Sequence, residues 1–181
     1  MNTREISRTL GTLFRELTEG AHTPGGAYVL NSGDVGLLRS LDRLSAADAS
    51  RSSLGGATIA AHTKHVAYGL RLNNTWATEG GNPFADAKWD EAWKTSTVSE
   101  AEWSSIRSEL ATEVMKWRDV LAHPRDVNDV ELNGMVGVIA HTAYHLGAIR
   151  QIDKSIRGPR EGTFTSPSAP PTVVRIPPSA P

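Results

Sequence analysis

Residues 98–121, VSEAEWSSIRSELATEVMKWRDVL, carry the clearest structural signal in the 181-residue chain. Ser99 followed three residues later by Glu102 forms a capping box, in which each side chain bonds a backbone amide at a helix start. Pro124 cannot continue a helix and stops the segment. The stretch therefore predicts a long amphipathic helix, because its apolar residues recur with the period of one helix face. These residues are Trp103, Ile106, Leu110, Val114, Trp117 and Leu121.

Upstream of this stretch, the helical period recurs in two long segments and one short one. The first long helix ends before Gly20, and the second runs from Gly56 or Ala57 to about Trp76. A shorter helix follows Gly33 between them. The apolar positions that define the three segments are Ile6, Leu10, Leu13 and Leu17, then Leu37, Leu38, Leu41 and Leu44, then Ile59, Val66, Leu72 and Trp76.

Downstream, a fourth long helix is capped by Asp126 or a nearby residue and runs to about Ile156. The connection over residues 78–98 has no clear period, and a connection of that length is expected to pack on the body or to shape a site. No segment alternates with the period of a strand. Four long amphipathic helices predict an all-α fold, a four-helix bundle with one short extra helix, over residues 1–157.

The C-terminal segment, residues 158–181, differs from the body in composition. It holds most of the ten prolines of the chain, and proline fixes φ and removes amide donors. We therefore expect a disordered, polyproline-like tail. The alternative is a strap whose Val173, Val174 and Ile176 dock on the body or on a neighbouring subunit.

Composition restricts the possible functions. Nineteen basic and twenty acidic residues give a net charge of −1, which does not favour nucleic acid as a partner. No apolar run reaches the roughly 18 residues of a membrane helix, and the polar start with Glu5 does not resemble a signal peptide. We therefore expect a cytoplasmic protein. The chain has no cysteine, so a metal would be held by histidine, carboxylate or backbone oxygen.

Two of the six histidines lie at predicted helix ends. His22 stands beside Thr23-Pro24, and His123 stands beside Pro124. Histidines at helix ends commonly cap the last carbonyls or face water. We interpret both as surface or capping residues.

The other four histidines form two pairs at helical spacing. His62 and His65 are three residues apart, and His141 and His145 are four apart, so each pair projects from one face of its helix. Apolar neighbours mark both faces as inward. Buried protonated imidazoles would repel each other, whereas a divalent metal stabilises the neutral form that ligates it. The pattern predicts a metal site, and the alternative is a buried polar network of these residues with Tyr144.

Two segments carry a resemblance to a known family. Residues 58–70, TIAAHTKHVAYGL, and residues 141–152, HTAYHLGAIRQI, resemble the second and last helices of the DinB-like (YfiT-like) metal-dependent superfamily. The signature helix of that family has His-x-x-x-His followed by a Gly-Gln-Ile-like segment, and here Ala148 stands where Gln is usual. The resemblance covers most of residues 1–157.

The resemblance implies an up-down-down-up bundle, often a homodimer, that binds zinc or nickel through three histidines. By position, His141 and His145 match two ligands and His65 matches the first. His62 is the second choice, or a residue that orients a ligand or water. Characterised relatives further imply an S-transferase in which the metal holds a low-molecular-weight thiol, such as bacillithiol or mycothiol, as the thiolate that attacks a small-molecule substrate.

Other interpretations stay open at this point. The chain could be a non-catalytic metal-binding bundle of a stress response or an interaction module, or a hydrolase whose metal lowers the pKa of a bound water. Asp34 is a candidate base near the site. The tryptophans are interpreted as core and loop anchors rather than as a stacking platform. They are Trp76, Trp89, Trp93, Trp103 and Trp117.

Overall fold

The computed structural model describes residues 3–21 and 27–159, which form helices and connections. Within these residues there is no strand beyond one isolated bridge between Ser52 and Thr58, which confirms the all-α class. No helix in this part of the chain is long and apolar enough to cross a membrane. The α-helices are α1 (Thr3–Glu19), α2 (Gly36–Asp42), α3 (Ala46–Ala49), α4 (Ile59–Glu79), α5 (Glu100–Ala122) and α6 (Asp129–Ile152).

Polar side chains set where the long central helices begin. Ser99 and Glu102 form the predicted capping box at the start of α5. Helix α4 begins slightly later than predicted because the hydroxyl of Thr58 accepts a hydrogen bond from the amide of Ala61. An N-cap of this kind stabilises a helix by about 1 kcal/mol. The predicted short helix is present as α2, and the one-turn α3 was not predicted.

Helix α6 begins near the predicted cap and ends earlier than predicted. Asn128 rather than Asp126 caps its start through a capping box of its own. At its other end Asp153 takes an extended conformation, with φ −121° and ψ 107°, and caps a short 3-10 turn. The helix therefore ends before Ile156, because the cap at Asp153 redirects the chain.

The four long helices form a closed ring of neighbours around the core. Helix α4 packs against α5 and α6, and α1 packs against the same two helices. The buried indole of Trp103 donates from Nε1 to the carbonyl of Leu44 at 2.8 Å, which ties α5 to the connection after α2. The largest fully buried side chains are Trp103, Trp117, Phe14, Leu17, Leu37, Leu41, Ile59 and Leu110.

Side-chain contacts show how α4 aligns with its neighbours. Arg71 pairs with Glu109, and three residues further along α4 Asn74 bonds the carboxylate of Glu113 at 2.7 Å. Between α4 and α6, later residues of one helix contact earlier residues of the other. Trp76, near the end of α4, lies against Gly134, in the first half of α6. The two histidines near the start of α4 contact the two histidines in the second half of α6.

Two of the predictions fall on residues outside the described ranges. His22 lies in the interval between residues 21 and 27, and the C-terminal segment from residue 160 onward, including Val173, Val174 and Ile176, lies past the last described residue. The interpretations of His22 and of the tail stay predictions.

Candidate metal centre

Four histidine side chains meet between α4 and α6. His62 and His65 project from α4, and His141 and His145 project from α6. The Nε2 atom of His141 lies 3.1 Å from Nε2 of His65 and 2.9 Å from Nε2 of His145. His65 and His145 are buried, and the other two are half-buried. The structure therefore brings together every histidine that the helical spacing singled out.

Hydrogen bonds between the rings cannot satisfy all the nitrogen atoms that converge here. The Nε2 atom of His141 carries either one proton or one in-plane lone pair, so it cannot bond well to both His65 and His145. A cation at the shared point would accept a lone pair from each ring. Zn–N bonds of about 2.0–2.1 Å in a tetrahedral site place the ligand nitrogens roughly 3.3 Å apart, close to the observed distances.

The three rings form a donor set that fits a divalent ion. One ring nitrogen from each of His65, His141 and His145 lies within 4.8 Å of the others. Imidazole suits zinc, nickel, copper and iron. Because three such donors converge among the described residues, an ion held by them would keep a coordination position open for water or substrate.

His62 occupies a different position from the other three. Its Nδ1 lies 2.8 Å from Nδ1 of His145, whose Nε2 is the atom directed at His141. A partner on the outer nitrogen fixes the tautomer and the ring orientation of a metal-ligating histidine. Of the two roles that the sequence left open for His62, this contact favours that of a residue that would orient a ligand.

Burial keeps the four imidazoles neutral. It lowers the pKa of His62 and of His141. In His65, burial first and then the nearby His141 and His62 lower the pKa to about 4. In His145, burial and then the other three rings lower the pKa to about 3. Since neutral imidazole is the ligating form, the cluster is ready for a metal at neutral pH.

A self-sufficient polar network explains the cluster less well. Tyr144, which that alternative included, is 69% exposed, and its ring meets that of His145 in a T-shaped contact at a centroid distance of 5.0 Å. The buried Nδ1 of His65 has no hydrogen-bond partner among the described residues. Polar networks stabilise a core when every member is satisfied. A metal at Nε2 would leave this Nδ1 as it is, so the observation that favours a metal over a network is the Nε2 of His141, which faces both His65 and His145.

Two tryptophans from the connection between α4 and α5 cover the cluster. The ring of Trp93 stacks on His65 at a centroid distance of 4.4 Å, and Trp89 lies 5.7 Å from the same ring. The sequence interpretation treated both as anchors and missed their place at the site. The sequence signal for this arrangement was the connection itself, because its length and its lack of helical periodicity indicated a segment that packs on the body or shapes a site.

The remaining candidates lie away from the cluster. His123 ends α5 with its side chain exposed and its Nδ1 2.8 Å from the carbonyl of Asp119, as expected for a capping residue. Asp34, the candidate base, is buried, and both of its oxygens bond Arg150, at 2.9 and 2.7 Å. It also accepts from the amide of Gly36. Asp34 therefore holds α2 to α6 and is not among the converging side chains.

Comparison of this chain with protein-family models, with curated proteins and with solved structures found no match. The interpretation of the site therefore depends on the histidine geometry and on the two segments, residues 58–70 and 141–152, that carry them.

Proposed function

We propose that this protein binds a divalent metal ion, zinc or nickel, through His65, His141 and His145, as a member of the DinB-like superfamily. The observation that supports this most strongly is the convergence of three Nε2 atoms, 2.9 and 3.1 Å apart around His141. Neutral, buried imidazoles with few alternative partners are the donors that such an ion requires.

The same proposal includes an up-down-down-up bundle. Contacts between α4 and α5 advance together, from Arg71 with Glu109 to Asn74 with Glu113, which favours parallel helices. Contacts between α4 and α6 advance in opposite directions, which favours an antiparallel pair. Parallel neighbours need a long crossover, and residues 80–99 are long enough to provide it.

The reaction that we propose is a nucleophilic substitution: the thiol loses its proton to solvent, its sulfur forms a C–S bond to the electrophilic substrate, and the bond from that carbon to the leaving group breaks with release of the leaving group as an anion. A bound divalent ion would supply an open position that holds the thiol sulfur as a thiolate. The chain's own residues prepare that position: His62 holds the ring of His145, and Trp93 shields one face of His65 from water. The chain has no cysteine, so in this proposal the sulfur comes from the cosubstrate.

A non-catalytic metal-binding bundle of a stress response, or an interaction module, is the second candidate, and it would be favoured by a closed site with four protein ligands. His62 is the nearest fourth histidine. Its Nδ1 faces the outer nitrogen of His145 rather than the point where the three Nε2 atoms converge. This arrangement supports three ligands and an open position, and hence the enzyme.

Metal content tests the site. Native full-length protein should carry about one divalent ion per chain, measured by plasma mass spectrometry, and His65→Ala, His141→Ala and His145→Ala should each keep less than about a tenth of it. His123→Ala is the matched control, because its ring is exposed and lies outside the cluster. Undiminished metal in the three cluster variants would show that the assignment is wrong.

Activity separates the two functions. The metal-loaded protein should accelerate conjugation of a small thiol to 1-chloro-2,4-dinitrobenzene, and the His141→Ala variant should not. If metal is bound with the predicted dependence on the three histidines but no small thiol supports conjugation, the non-catalytic function is favoured.

A further inference from the structure

A cavity of about 550 Å³ lies directly beside the histidine cluster, between α4 and α6. His141 forms part of its wall, and Trp76, Phe84 and Trp89 form another part. Sites for small molecules commonly have volumes of about 300–1,000 Å³. The cavity is therefore large enough for an organic ligand that reaches the cluster.

The aromatic wall continues from the cavity to the histidines. The rings of Phe84 and Trp89 are nearly parallel, 7° apart at a centroid distance of 6.5 Å, and Trp76 meets Phe84 edge-on at 5.8 Å. Trp89 also contacts His65, at 5.7 Å. A ligand lying along this wall would therefore point one end at the cluster.

The cavity wall offers little to a charged ligand. Among the described residues that line it, none is Asp, Glu, Lys or Arg. The side chains of Asn73, Asn82 and Thr142 each make a hydrogen bond to the backbone of their own segment. An ionised group against this wall would meet amide and hydroxyl dipoles but no opposite charge among the described lining residues, so no ion pair would offset its loss of hydration. The lining favours an uncharged, apolar or aromatic ligand.

Three helical glycines that line the cavity differ in what lies beside them. A Cβ at Gly134 would lie 2.5 Å from a ring carbon of Trp76, and a Cβ at Gly69 would lie 3.6 Å from His141. Gly137 differs, since a Cβ there would meet no atom within 4 Å. Gly137 is thus a helical position at which a new side chain can enter the cavity without displacing other atoms of the protein.

We propose that this cavity binds the uncharged aromatic or apolar portion of the substrate and directs its reactive end to the histidine cluster. That the ligand is a substrate rests on the function proposed above for the histidine cluster. The chemical class of the ligand is inferred from the cavity, by its size, lining and position, and does not depend on the metal.

The test uses a neutral fluorophore, 1-aminoanthracene, titrated into the full-length protein with the metal removed and again with zinc added. Gly137→Leu should weaken its binding by about tenfold or more, because the new side chain fills the cavity. Gly147→Leu is the matched control: it is an exposed glycine of the same helix, a Cβ there also meets nothing within 4 Å, and it does not line this cavity. It should bind the probe as the wild type does.

The ligand class has its own comparison. The anionic analogue anthracene-1-carboxylate should bind the metal-free protein about tenfold or more weakly than 1-aminoanthracene does. Equal binding of the two probes would overturn the uncharged class, and equal binding of 1-aminoanthracene to both glycine variants would overturn the cavity as its site. Circular dichroism of both variants establishes that they are folded.

Failure of this inference and failure of the proposed function give different results. If metal is bound through the three histidines but Gly137→Leu leaves probe binding unchanged, the cavity is not the ligand site and the proposed metal site still stands. If Gly137→Leu weakens probe binding but the protein holds no metal, the cavity is the ligand site and the proposed metal-dependent function is wrong.

Discussion

At the scale of single residues, the cluster depends on which nitrogen each histidine presents. His141 presents Nε2 to both His65 and His145, while His145 uses Nδ1 to reach His62. A histidine that ligates through Nε2 carries its proton on Nδ1 and needs an acceptor there. His62 provides that acceptor for His145, so its role differs from that of the three converging rings.

This division of roles predicts distinct effects of substitution at His62. His62→Ala should weaken metal binding by about 10–100-fold without abolishing it, because the ring of His145 loses its partner but keeps Nε2. His62→Asn should restore part of the affinity, since its amide oxygen can accept near the position of Nδ1. Competition with a chelator of known affinity measures both.

The opposite result would assign His62 as a ligand. In that case His62→Ala would lose its metal as completely as His65→Ala does, and the asparagine variant would rescue nothing. The site would then be closed by four protein ligands, and the non-catalytic function would gain support.

At the scale of elements, α6 combines two histidines of the cluster with close packing. It carries His141 and His145, and one to two turns earlier it carries Gly134 and Gly137. Glycine in a helix interior costs roughly 0.5–1 kcal/mol relative to alanine. The two glycines differ in what surrounds them: Trp76 occupies the space beside Gly134, and the space beside Gly137 is open.

A matched pair of alanine variants tests this difference. Gly137→Ala should stabilise the protein by up to about 1 kcal/mol, because helix propensity improves and nothing is displaced. Gly134→Ala gains the same propensity but forces the ring of Trp76 to move, at a cost of about 1–3 kcal/mol. Denaturant unfolding should therefore rank Gly134→Ala below Gly137→Ala. Equal free energies of unfolding would show that Trp76 is not packed on Gly134.

Helix α6 also shows how far the sequence alone could predict the structure. Its apolar period and the spacing of His141 and His145 were sufficient to predict the helix and the face on which the two rings lie. Its start was predicted only as Asp126 or a nearby residue, because Asp126 and Asn128 are comparable N-cap residues and context selects between them. The cap at Asp153 ended the helix early by the same kind of local choice.

The aromatic cover could not be predicted in the same way. Trp89 and Trp93 lie in a connection without periodicity, so no local pattern assigns them a face. Their contacts with His65 depend on how residues 80–99 fold back over α4, which is a long-range property. The cavity beside His141 has the same origin, because the packing of two helices and this connection creates it.

At the scale of the whole molecule, the site imposes a cost on folding without metal. The cluster holds neutral imidazoles between α4 and α6, and uncharged indole rings cover it from the connection. Burial lowers the pKa of all four rings, to about 4 in His65 and to about 3 in His145. The unfolded chain exposes the same rings to water, where the pKa of histidine is about 6.5.

This difference predicts that the metal-free protein loses stability on mild acidification. Between about pH 6.5 and pH 4 the unfolded chain binds protons that the native cluster does not, so the free energy of unfolding falls as the pH falls. Denaturant titrations at several pH values in the presence of a chelator measure the slope. The double variant His65→Gln/His145→Gln removes the two most strongly shifted rings and should flatten the slope between about pH 6.5 and pH 5, above the usual range of paired carboxylates. A slope of opposite sign, or one that the double variant leaves unchanged, would show that these imidazoles are not held neutral in the native state.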